Sequence, residues 1–117
     1  MSSRVPILRQ GDVLIASIQE ELSDGDILDL QLRILEEVIR CRASGVIVDV
    51  SALDVLDSFG SRSLSDMAQA VRLRGSRLVI VGIQPDVAYS MVLLGVTLPD
   101  VATALDLDRG LALLEAG

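Results

Sequence analysis

The sequence predicts an α/β fold, a mixed, mostly parallel sheet with helices in the order ββαβαβαβα. Three observations predict it. Two nearly continuous aliphatic runs, Val46–Val50 and Leu78–Ile83, have the pattern of strands buried on both faces. The segments between strands repeat their apolar residues at helical spacing, and helices of about ten residues or more in such positions imply crossovers onto a parallel sheet. The start of the chain differs, because two short β-rich runs meet at Gly11 and Asp12, a turn signal that makes an antiparallel hairpin. The 117 residues suit a single domain covering 1–117, since one core usually serves about 100 to 200 residues.

The hairpin strands are expected at Val5–Gln10 and Asp12–Ile18. Ser23 then opens a helix, with Asp26 three residues on as its capping-box partner. Ile27, Leu30, Ile34, Val38 and Cys41 share one face, flanked by Leu28, Leu35 and Ile39, and that face is read as core. Asp29, Arg33, Glu36, Glu37 and Arg40 form the opposite, solvated stripe, with acids placed before bases. Gly45 is read as the end of this helix. Asp49 interrupts the next strand; an unpaired buried carboxylate is costly, so Asp49 is expected to face the strand's exit or to accept backbone bonds. The loop Ser51–Asp57 leads into a helix over Ser58–Arg74, stopped by Gly75. After the second aliphatic strand, Pro85 and Asp86 suit the first turn of a helix through Val87–Leu94, closed by Gly95. A short strand near Val101–Ala104 and a helix over Asp106–Glu115 complete the order.

Composition excludes much chemistry. All ten cations are arginine, the chain has neither Lys nor His, and Cys41 is its one cysteine. Histidine bases, imidazole or thiolate metal sites, Schiff bases and the lysine of a phosphate loop are therefore absent, and no cofactor is expected. Seventeen acids against ten arginines give a net charge of −7, which argues against binding a phosphate backbone. Leu, Val and Ile supply 43 residues against two aromatics, Phe59 and Tyr89, so the core must be aliphatic. Met1–Gln10 has no leader pattern, and no apolar run approaches the ~18 residues needed to cross a bilayer. A soluble, cytoplasmic protein without a membrane partner is the expectation.

The informative stretch is Leu56-Asp57-Ser58-Phe59-Gly60-Ser61-Arg62-Ser63-Leu64-Ser65, where a loop enters a helix. Ser58 is read as the N-cap. Its hydroxyl either serves only to cap the helix or stands open to modification, and both readings need the same exposed turn. On a helical wheel Gly60, Leu64, Met67, Ala68 and Val71 face inward, while Ser58, Arg62, Ser65 and Gln69 face outward. Phe59 falls at the boundary, as core over the sheet edge or as part of a docking surface. Asp57 either orients the neighbouring hydroxyl or favours the positive helix end. Arg62, one turn on, is a plain surface cation or a partner for a phosphate. Cys41 reads as a small helix-face hydrophobe, and Asp49 is not assigned a catalytic part.

The passage Val46-Ile47-Val48-Asp49-Val50-Ser51, followed by Leu56-Asp57-Ser58-Phe59-Gly60, resembles the signature of the STAS domain family, and the element order resembles that of the family over essentially the whole chain. The resemblance is strongest to the RsbS type, the small single-domain anti-sigma factor antagonists of bacterial stressosomes, whose motif keeps one serine followed by an aromatic. Sporulation-type members read Asp-Ser-Ser-Gly, and here Phe59 stands where the second serine would be. The resemblance implies a STAS-like fold and a non-enzymatic protein that binds a serine kinase of the GHKL ATPase type (RsbT-like) and is released from it when Ser58 is phosphorylated. It also implies a serine phosphatase that resets Ser58 and co-assembly with RsbR-like paralogues into a large scaffold. The partner face expected from this comprises Asp57, Phe59, Gly60, Arg62, Ser65 and Gln69, with Ser58 as phosphoacceptor. Two other readings stay open. One is a nucleotide or small-anion domain using helix N-termini, though the chain lacks a glycine-rich phosphate loop. The other is an enzyme built on a carboxylate pair such as Asp49 with Asp57.

Overall fold

The computed structural model describes residues 5–116; Met1–Arg4, the first residues of the stretch read as lacking a leader, and Gly117 lie outside them. The element order is the expected one: β1 (Ile7–Gln10), β2 (Val13–Ser17), α1 (Asp24–Cys41), β3 (Gly45–Asp49), α2 (Ser58–Leu73), β4 (Arg77–Val81), α3 (Pro85–Leu94), β5 (Ala102–Ala104) and α4 (Leu107–Ala116). The strands lie side by side in sequence order. β1 runs antiparallel to β2, and every other pairing is parallel, with Ile15, Ile47, Val79 and Ala102 in one row across the sheet.

Alternation along the strands sends side chains to two cores. Leu14, Ala16, Val46, Val48, Leu78 and Ile80 join Leu30, Ile34 and Val38 of α1, Leu64, Met67 and Val71 of α2 and Val87 and Met91 of α3. The opposite face, Val13, Ile15, Ile47, Val79 and Val81, is packed against Leu107, Leu111 and Leu114 of α4. Burial on both sides explains why β3 and β4 read as unbroken aliphatic runs.

Local signals explain most element ends. Ser23 accepts a bond from the Asp26 N–H, and the Asp26 carboxylate accepts one from the Ser23 N–H, closing the capping box. Pro85 begins α3, and Gly95 ends it at φ 70°. Gly75, at φ 81°, follows α2.

Four expectations need correction. Gly45 does not end α1. Arg42 does, in the left-handed region at φ 53°, and Gly45 is the first residue of β3. A side chain at Gly45 would meet Leu114 of α4 at 2.6 Å, so its small size serves a tertiary contact. Cys41 is only half-buried, and its thiol donates to the Glu37 carboxylate at 3.5 Å. β4 stops at Val81, because Gly82 adopts φ 82°. The fourth concerns Ser58 and is described with the site.

Candidate functional site

The loop between β3 and α2 is built on backbone bonds. The Asp49 carboxylate accepts the Ser51 N–H at 2.9 Å, which is how a half-buried acid at a strand's exit is satisfied. Gln84, just before α3, donates to the Ser51 carbonyl. Leu53 and Leu56 are buried and pin the loop onto the core. Val55 between them is 57% exposed.

The N-cap of α2 is Asp57, and the Ser58 cap reading is thereby corrected. The Asp57 carboxylate accepts the Gly60 N–H at 2.7 Å, and its carbonyl accepts the Ser61 N–H. An aspartate and a serine are both good caps, and in this pair the earlier residue has the extended backbone the position requires. Ser58 is consequently the first helical residue, exposed to solvent, with its hydroxyl free of capping duty.

Gly60 is buried beneath the cap. A Cβ there would stand 3.2 Å from the Asp57 carboxylate and 3.3 Å from Leu56, so glycine lets the carboxylate close on its N–H. Gly60 therefore shapes the turn from below and offers no surface to a partner. Ser65 departs further from the outward position of the helical wheel. It is 4% exposed and donates to the Pro99 carbonyl. The wheel misplaced it because α2 is covered on two flanks: Gln31 of α1 bonds the Ser63 carbonyl on one, and the segment before β5 lies over Ser65 on the other. Asp57, Arg62 and Gln69 are exposed, as expected of an outward stripe.

Phe59, 36% exposed, combines its two readings. It lines an apolar cleft with Ile18, Leu22, Val55, Leu56 and Leu64, between the start of α1 and the start of α2. Glu21, Asp24 and Asp57 contribute carboxylates to the same cleft. The site is thus an exposed hydroxyl on a helix's first turn, beside an apolar cleft with an acidic rim. Sequence periodicity gave no sign of this cleft, because its two walls are some thirty residues apart and meet only through the packing of α1 on α2.

A mixed five-stranded sheet ending in such a serine-bearing turn defines a class of regulatory domain. The STAS domain family model matches residues 4–105, and the chain belongs to that family. Moorella thermoacetica RsbS S58E is similar to it at 35% identity with a TM-score of 0.81, over 97% of each chain. A chain from the structure described as the molecular architecture of the stressosome, a signal integration and transduction hub, is 30% identical with a TM-score of 0.74, covering 95% of this chain and 96% of its own. The RsbT co-antagonist protein RsbRA of Bacillus subtilis (strain 168) is 31% identical over 78 residues, 67% of this chain and 28% of that protein. The chain thus matches little more than a quarter of that curated relative's length. The anti-sigma factor antagonist SpoIIAA in its unphosphorylated form, at 10% identity and a TM-score of 0.70, shares the fold.

Proposed function

We propose that this chain is a stressosome-type anti-sigma factor antagonist, a cytoplasmic, non-enzymatic module switched by phosphorylation of Ser58. The observation that carries the reading is the position of Ser58: first in the helix, exposed, and relieved of capping by Asp57. A phosphate there would add about −1.5 to −2 charges at the positive end of α2, where free N–H groups favour it. The same charge would enter a rim already carrying Glu21, Asp24 and Asp57, so a partner seated on it through apolar contacts would be weakened.

The partner is a serine kinase of the GHKL type, bound over Asp57, Phe59, Arg62 and Gln69, with a serine phosphatase restoring the hydroxyl. RsbR-like paralogues share the assembly. Support comes from the likeness over nearly the full chain to an RsbS and to a stressosome component. The nucleotide or small-anion reading is disfavoured by the carboxylates at the helix starts, which already neutralise the positive ends an anion would use.

Incubation with such a kinase and labelled ATP, with mass-spectrometric site mapping, tests the switch. Wild type should take up one phosphate at Ser58 and Ser58→Ala none; equal labelling of the two would remove Ser58 from its role. A loss of about 2 to 3 kcal/mol, roughly 30- to 150-fold in affinity, is enough to release a moderately bound kinase.

A further inference from the structure

Parallel strands bring all four helix starts to one end of the molecule and the helix ends to the other, and the charges follow. Asp24 and Asp26, Asp57, Asp86 and Asp108 occupy first turns or caps. Arg109 is the one arginine in those turns among the described residues, and it is already bonded to Asp106 at 2.7 Å. At the opposite end stand Arg40, Arg42, Arg72, Arg74 and Arg77. Arg40 is held by Glu37 at 2.6 Å. The other four have no carboxylate within ion-pair distance among the described residues. Arg72 and Arg77 reach only carbonyls, those of Asp100 and Leu113.

These four form one surface. Arg42 and Arg74 line a shallow groove with Ile39 and Gly75, and Arg72 and Arg77 line its neighbour with Ala68 and Asp100. Ile39 at 49% and Leu73 at 87% exposure add apolar contact area beside the guanidiniums. Helix dipoles explain why cations are tolerated at this end. They do not supply the guanidiniums with carboxylate partners.

We propose that the arginine end of one chain docks on the acidic end of a second copy, head to tail. Charge complementarity selects this occupant: the acidic end carries carboxylates in excess, interspersed with exposed Val55 and Phe59 to meet Ile39 and Leu73. The contact is heterologous, so it propagates from copy to copy or closes into a ring. Because Ser58 lies at the acidic end, a phosphate there would tighten this contact, and a partner seated on the cleft would compete with it.

Sedimentation velocity over a concentration series, at about 50 mM and about 500 mM salt, reads the contact, since screening at the higher value cuts the Debye length to a few ångströms. Wild type should self-associate at low salt and dissociate at high salt. Arg42→Glu/Arg74→Glu and Glu21→Arg/Asp54→Arg should each weaken association at least about tenfold, or about 1.4 kcal/mol. An equimolar mixture of the two variants should associate again, because each carries the end the other now needs. Far-UV circular dichroism of each double variant checks that it is folded. Wild type that stays monomeric at low salt overturns the proposal, as does a mixture that fails to associate. Retention of duplex nucleic acid by wild type, lost in Arg42→Glu/Arg74→Glu, would assign the arginines to nucleic acid and overturn it too.

Discussion

Replacing Asp57 by alanine removes the side-chain acceptor of the Gly60 N–H and leaves a helix start uncapped. The expected cost is about 1 kcal/mol, a fall of roughly 3 to 6 °C in thermal midpoint. Ser58→Asp should do the reverse of harm to the fold: the cap remains, an acid in the first turn is favourable, and the midpoint should stay within about 3 °C of wild type. The same variant should lose kinase capture, so an unfolded Ser58→Asp would show that the position is structural. Ser61 poses the opposite case. Its hydroxyl is buried at 1% exposure without a partner, so Ser61→Ala should be neutral or stabilising in a denaturant titration. A clear loss would mean that the hydroxyl is bonded in solution. Glu37 carries a pH signature, because hydrogen bonding from Arg40 holds its carboxyl below the usual value. A depressed folded pKa means stability that is present above the unfolded value and lost as pH falls through the folded one. The pair is at the surface and contributes little. The gap between wild type and Glu37→Gln should therefore be small at neutral pH and close in acid; a gap that widens in acid contradicts the assignment.

Among the elements, α4 depends on two glycines that its own periodicity does not explain. A Cβ at Gly110 would lie 2.6 Å from Val81 and 3.3 Å from Ile47, and one at Gly45 would strike Leu114. Both let the helix rest directly on the sheet. Alanine at Gly110 would gain helix propensity of about 1 kcal/mol, but a β-branched neighbour has little room to yield. Gly110→Val should therefore destabilise by about 1 to 3 kcal/mol through overpacking, measured by thermal or denaturant unfolding. Unchanged stability would mean that α4 shifts outward at little cost. Element type was legible wherever one signal dominated: a capping box at Ser23, proline at the start of α3, aliphatic runs in β3 and β4. Element ends were less so. Gly45 looked like a helix stop because a glycine after a periodic run usually is one, and only the position of α4 shows why glycine is needed there.

At the scale of the molecule, the net charge of −7 is unevenly spread, with carboxylates gathered at the end that bears Ser58. The folded state holds them close together, which raises its energy at low ionic strength. Moderate salt should therefore lift the thermal midpoint of Arg42→Glu/Arg74→Glu, in which self-association is removed; a midpoint that falls would mean that attractive pairs outweigh the repulsion. Sequence periodicity, caps and composition sufficed for the element order, the mostly parallel sheet, the aliphatic core and the exposed Ser58, because each rests on interactions between residues a few positions apart. Ser65 under the Pro99 carbonyl, Gly60 beneath its cap, the cleft between α1 and α2 and the arginine surface were set by packing. Each joins groups from separate elements, and no local pattern records which flank of a helix a distant loop will cover.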